Sequence, residues 1–193
     1  MVPDHDGVVD RTLAEAFAAA GADVAELPGP LVPDFEGAVD RLGELVDGYG
    51  GPVVLAGHAV GGMIVVRYAQ RCPTAAGLVL TAPVLGPWPM LDLLSGDEDV
   101  PGIGRTALAA IEECLTTIDF DHPLGDELPA LWVHGTDDTR VPMADTRAGL
   151  DRVRGLGFEE LIIPGAGHAV LDTPGVRSAI VAFAARVVVQ DSA

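Results

Sequence analysis

A chain of 193 residues, 49% hydrophobic and carrying 24 glycines, is long enough to bury a two-sided sheet in a single domain and too apolar to be a disordered one. Its 29 acidic side chains face only 11 basic ones, and the formal net charge of -18 argues against nucleic acid and anionic membrane surfaces as partners, because both would be repelled. Cys72 and Cys114 are too few and too far apart for a disulfide framework or a zinc site, so no metal is implied. The start of the chain lacks the basic and apolar pattern of a signal peptide, and no apolar run reaches about 18 residues, so no membrane span is expected and a cytoplasmic location is the default.

Taken in order, residues 12–20 predict an amphipathic helix with Leu13, Ala16, Phe17 and Ala20 on one face, closed by Gly21. Residues 22–27 then read as a short strand. Pro28, Gly29, Pro30 and Pro33 mark a turn, and residues 35–49 predict a helix capped by Asp34 and ended by Gly48, Gly50 and Gly51. Residues 52–56 are a short apolar run rich in β-branched side chains, as a strand buried on both faces would be, and from Met63 onward the pattern turns helical. Between them lies Gly57-His58-Ala59-Val60-Gly61, a join so tight that its central residue, Ala59, is forced into strained geometry while the flanking glycines permit close approach.

Residues 77–83 predict another buried strand. From 84 to 128 the periodicity is lost: Trp88, Met90 and Leu93 lie in apolar stretches, residues 95–101 form an acidic turn, and residues 106–115 predict a helix. Apolar runs at 130–134 and 161–163 precede polar, glycine-containing loops that carry Asp138 and His168. A last helix over 174–189 puts Val176, Ile180, Phe183 and Val187 on one face.

Gly57-His58-Ala59-Val60-Gly61-Gly62 resembles the nucleophile elbow of the α/β-hydrolase family, whose pattern is Gly-X-Ser-X-Gly. His134-Gly135-Thr136-Asp137-Asp138, followed by Val141-Pro142, is similar to that family's acid loop, and Pro164-Gly165-Ala166-Gly167-His168 to its histidine loop. Tip residue, acid and histidine follow the family's order. The Thr81-Ala82-Pro83 and His134-Gly135-Thr136 segments most resemble acylglycerol lipases, lysophospholipases and carboxylesterases.

The resemblance implies one α/β domain over 1–193: a mostly parallel sheet of five or six strands with helices on both faces, and a short cap inserted at 84–128. It also implies a serine ester hydrolase acting on a small-molecule ester or acyl substrate without a cofactor. Asp138 is the matching acid, with Asp137 as the alternative, and His168 the matching base. Val60 would supply an oxyanion N–H, and His5-Asp6-Gly7 is a loose match to the loop that supplies the second, which nominates Asp6. Trp88 and Met90 either line an acyl pocket or pack against the sheet. His58 and His134 read as structural.

Two departures follow from the same resemblance. The nucleophile position holds Ala59, which has no nucleophilic atom, and Ser95, Ser178 and Ser192 are too far from the motif to replace it. The family's first strands have no counterpart, so the reading expects either a short strand at 1–5 or direct pairing of its neighbours, and an uncovered sheet edge that favours a homodimer. Three readings remain: an ester hydrolase with its serine replaced by alanine, a non-catalytic binding protein of the same fold, and an enzyme that uses His168 and Asp138 as a general-base pair.

Overall fold

The computed structural model describes residues 1–2, 11–29, 31, 34–85, 124, 128–153 and 156–191. Among these, four strands form one parallel sheet in chain order: β1 (Val54–His58), β2 (Gly77–Thr81), β3 (Leu128–Gly135) and β4 (Leu156–Ile163). The helices are α1 (Arg11–Ala19), α2 (Phe35–Asp47), α3 (Val60–Arg71), α4 (Met143–Leu150) and α5 (Val176–Asp191), with a 3-10 turn at Val170–Asp172.

Parallel neighbours require crossovers, and crossover helices cover both faces of the sheet, so a strand here must be apolar on both sides. That is how the strands divide. Leu55, Leu78, Leu80, Ala130 and Trp132 enter one core with α2 and α3, whereas Ala56, Val79, Leu131 and Val133 enter a second core with α1 and α5. On α2 the buried residues Phe35, Ala38, Val39, Leu42 and Val46 recur at helical spacing, and the Asp34 carboxylate caps the first turn by accepting from Gly37 N at 3.2 Å. On α5, Val176, Ile180, Phe183 and Val187 are all buried, as their spacing predicts.

Several elements differ from the sequence reading. Ala20 falls outside α1 and is exposed, because Gly21 at φ +86 turns the chain away directly after it. Helix α3 begins at Val60 rather than Met63. Glycine is a poor helix former, but Gly62 packs closely, and a Cβ on it would stand 2.6 Å from that of Pro83. Four strands are named among the described residues where five or six were expected, and residues 22–27 are not one of them.

That stretch nevertheless runs beside the sheet. Val2 makes an isolated parallel bridge to Gly57, donating to Ala56 O at 2.7 Å, while Leu27 N donates to Met1 O at 2.9 Å and the Met1 amino group donates to Ala25 O. Residues 1 and 2 therefore occupy the lane between 25–27 and β1. Of the strand expected over 1–5, this isolated bridge at Val2 is what is seen, and residues 3–5 lie outside the described residues. Of the expected cap, Val84, Leu85 and Leu124 are described and buried, and Leu128 already belongs to β3; Asp6, Trp88, Met90 and the 106–115 helix lie outside the described residues. No helix among the described residues is long and apolar enough to cross a membrane.

Ile180 is fully buried where α5 meets the sheet, and Val189 on the same helix is 70% exposed. Ile180→Ala is expected to cost about 2–5 kcal/mol in urea unfolding and Val189→Ala less than about 0.5 kcal/mol. Equal losses would show that α5 is not docked through this face.

Candidate active site

Strand β1 ends at His58, and the chain reverses into α3 through Ala59 at φ 47, ψ -112. For a residue with a Cβ this conformation costs on the order of 1–3 kcal/mol, so the surroundings must hold it. They do so through the backbone. Ala59 N donates to Thr81 O at 3.0 Å, and Ala59 O accepts from Val84 N and Gly62 N, each at 3.1 Å. A Cβ at Gly57 would sit 2.4 Å from the carbonyl oxygen of Gly61, so only glycine lets the strand and the helix meet this closely. Val60 is the first residue of α3, which places its N–H at the positive end of the helix.

At the corresponding end of β3, Asp138 has a side chain with no exposed surface. Its Oδ1 accepts from Arg140 N and Val141 N, each at 2.9 Å. Oδ2 accepts from His168 Nδ1 at 2.9 Å and lies 3.4 Å from His134 Nε2. Burial alone would raise this carboxyl, but the donors His134, His168 and Val141, with the charge of His168, outweigh it and hold the group well below the ordinary carboxylate range.

Asp137, the alternative acid, is exposed and accepts from Thr136 Oγ1 at 2.8 Å. Its backbone N–H donates to Ala166 O at 2.9 Å, which ties the two loops together. Gly135 makes that approach possible, since a Cβ there would stand 2.1 Å from Ala166 O.

His134 does more than the sequence suggested. It is fully buried, and because an indole N–H can only donate, the 3.1 Å bond from Trp132 Nε1 makes His134 Nδ1 the acceptor. The remaining proton is then on Nε2, where it serves Val141 O at 2.8 Å and Asp138 Oδ2. His58 sits with its ring centroid 4.8 Å from that of His168 and its Nδ1 3.1 Å from Thr81 Oγ1. The imidazole of His168 is thereby packed beside the residue that precedes Ala59. The only hint of these contacts in the sequence was that both histidines stand at strand ends.

The fold recurs in solved structures. The chain superposes on a monoacylglycerol lipase from Paleococcus ferrophilus with a TM-score of 0.67 at 17% identity, covering 96% of this chain and 93% of that one. The chain has the α/β-hydrolase fold. Est1E from Butyrivibrio proteoclasticus matches with a TM-score of 0.68 at 16% identity over 97% of this chain and 86% of its own. Alpha/beta hydrolase domain-containing protein 10 from mouse matches at 0.71 and 17% identity over 98% and 88%. The family profile described as serine aminopeptidase, S33, matches residues 29–120, which include the elbow. No curated protein sequence matches the chain.

Two outcomes test this geometry. Ala59→Gly relieves the strained turn, whereas Ala69→Gly in the last turn of α3 loses helix stability, so the first variant is expected to be about 2 kcal/mol more stable than the second by denaturant unfolding. Asp138→Asn is expected to cost about 3 kcal/mol at neutral pH. The folded-state pKa of Asp138 is depressed, so its contribution is present above the ordinary value of 3.8 and is lost as the pH falls below it. The stability gap between parent and variant should therefore narrow on acidification below that pH; a constant gap would remove the charge from the account.

Proposed function

We propose that this site is that of a carboxylic ester hydrolase in which alanine stands at the nucleophile position. The observation that supports it best is the hydrogen-bonded pair of Asp138 and His168, with the imidazole packed beside the elbow. A buried carboxylate that orients a histidine next to a strained, empty-handed turn has an evident use if a hydroxyl is supplied there.

With serine at 59, its oxygen would attack the ester carbonyl carbon while His168 Nε2 takes the hydroxyl proton. The negative charge on the carbonyl oxygen would be met by the Val60 N–H, a kind of contact worth roughly 3 kcal/mol in such sites. Collapse would break the bond to the alcohol, which leaves with the proton from His168, and water would then release the acid by the same route. Asp138 would fix the tautomer of His168 throughout. Ala59 permits none of the first step, and loss of this nucleophile typically lowers turnover by on the order of 10⁶. The acylglycerol and ester classes come from the resemblance of the motifs and from the monoacylglycerol lipase among the structural relatives. Asp6, Trp88 and Met90 keep their nominated roles at the oxyanion and the acyl chain, within one domain capped at 84–128.

One observation favours a second reading, a non-catalytic binding protein of this fold. Ala59 is 3% exposed and belongs to the apolar core with Val60 and Met63, where a methyl group is at ease without any partner. Ala59→Ser separates the two. Under the first reading it hydrolyses p-nitrophenyl esters and monoacylglycerols, reacts with a fluorophosphonate at residue 59, and loses both properties when His168→Ala is added. A folded Ala59→Ser chain with neither property would leave the binding reading.

A further inference from the structure

Trp132 and His134 stand two residues apart on β3, hence on one face of the sheet, and neither exposes any surface. Their side chains are joined by the 3.1 Å bond from Trp132 Nε1 to His134 Nδ1. The indole is itself firmly seated. The Arg147 guanidinium lies 4.7 Å from the ring centre and is fixed by two bonds to Glu160, at 2.7 and 2.6 Å, while Phe158 meets the ring edge to face.

The other nitrogen of His134 faces the acid. Nε2 lies 3.4 Å from Asp138 Oδ2, the same oxygen that accepts from His168 Nδ1. A buried carboxylate with two imidazoles on one oxygen has two candidates for the cation that completes an ion pair with it. For ester hydrolysis that cation has to be His168, whose ring takes the proton and returns it. The two rings differ at their far nitrogens. His168 keeps 14% of its side chain exposed, so a proton can reach it. On His134 the far nitrogen already accepts from a group that can only donate, and an added proton would face the indole proton with no acceptor between them.

Among the described residues, the charged groups that face this pair are Asp138, His168, Arg147 of α4 and Glu160 of β4. Asp138 favours a second cation at His134, a charged His168 opposes it, and Arg147 is balanced by Glu160. The indole bond is what tips the outcome. We propose that Trp132 is a positioning residue acting through His134: by occupying Nδ1 it keeps that ring neutral and reserves the charge of Asp138 for His168. The purpose given to Asp138 rests on the hydrolase reading, whereas the contacts themselves are those of the chain with Ala59. A neutral His134 also steadies the acid loop, since its Nε2–H serves Val141 O at 2.8 Å and Val141 N donates to Asp138 Oδ1.

The test is ¹⁵N NMR of the histidine rings in the full chain over about pH 5 to 8, the range in which an imidazole ordinarily gains its charge. His134 is expected to keep the neutral pattern throughout, with Nδ1 bare and Nε2 protonated. In Trp132→Phe it is expected to become doubly protonated on acidification. Exchange of the His168 Nδ1 proton with water should then quicken by about tenfold or more, because Asp138 is shared with a second cation. Adding His134→Gln to Trp132→Phe supplies an amide that donates but takes up no proton, and it should restore slow exchange across the range. Loss of packing alone would not be repaired in this way.

A doubly protonated His134 in the parent chain overturns the proposal, and that spectrum decides even where Trp132→Phe does not fold. So does a His134 that stays neutral in Trp132→Phe, or a double variant that exchanges as fast as the single one. Reaction of Ala59→Ser with a fluorophosphonate is scored apart: its absence would count against the hydrolase reading and leave the histidine spectra as they stand.

Discussion

A carboxylate with no exposed surface, Asp138, is the constraint on which this end of the molecule depends. An ion so placed must collect enough donors to replace water. Two backbone N–H groups of its own loop, His168 from the next loop and His134 from within β3 meet that need. Each donor is fixed in turn. His134 is oriented by Trp132, and the loop of His168 is drawn to that of Asp138 by the bond from Asp137 N to Ala166 O. Moving any of them would leave a buried charge short of partners, so the three segments have one arrangement.

The elbow meets a different demand by similar means. Its cost is conformational rather than electrostatic, since Ala59 is held at positive φ by bonds to β2 and to the segment after it. Both costs fall at the same end of the sheet, where the strands finish and the loops converge. Near the opposite end of β1, residues 1 and 2 lie between residues 25–27 and the strand, and a cavity adjoins Met1.

Much of this was legible in the chain. The apolar runs of β1 and β2, the spacing of Val176, Ile180, Phe183 and Val187, and the cap at Asp34 each depend on neighbours within a turn or two, which is the range over which sequence pattern speaks. Gly57 could be read as a close approach because a strand and a helix separated by so few residues leave no room for a side chain. Where local rules erred, the cause was packing from afar. Gly62 packs against Pro83 where a Cβ would not fit, and residues 22–27 form no named strand although Leu27 N bonds to Met1 O.

The sequence by itself determined that a parallel, two-faced sheet would form, that a tight turn would present residue 59, and that an acid and a histidine would follow strands in the order of a hydrolase. These are statements about periodicity, chain direction and order, all of which are carried along the backbone. Only the tertiary structure showed that Asp138 is buried and bonded to His168 while Asp137 is exposed, and gave His134 and His58 their places beside that pair. Those outcomes turn on which groups are brought together from distant parts of the chain, and on how much water is excluded when they meet. Neither quantity exists until the sheet has closed on its helices.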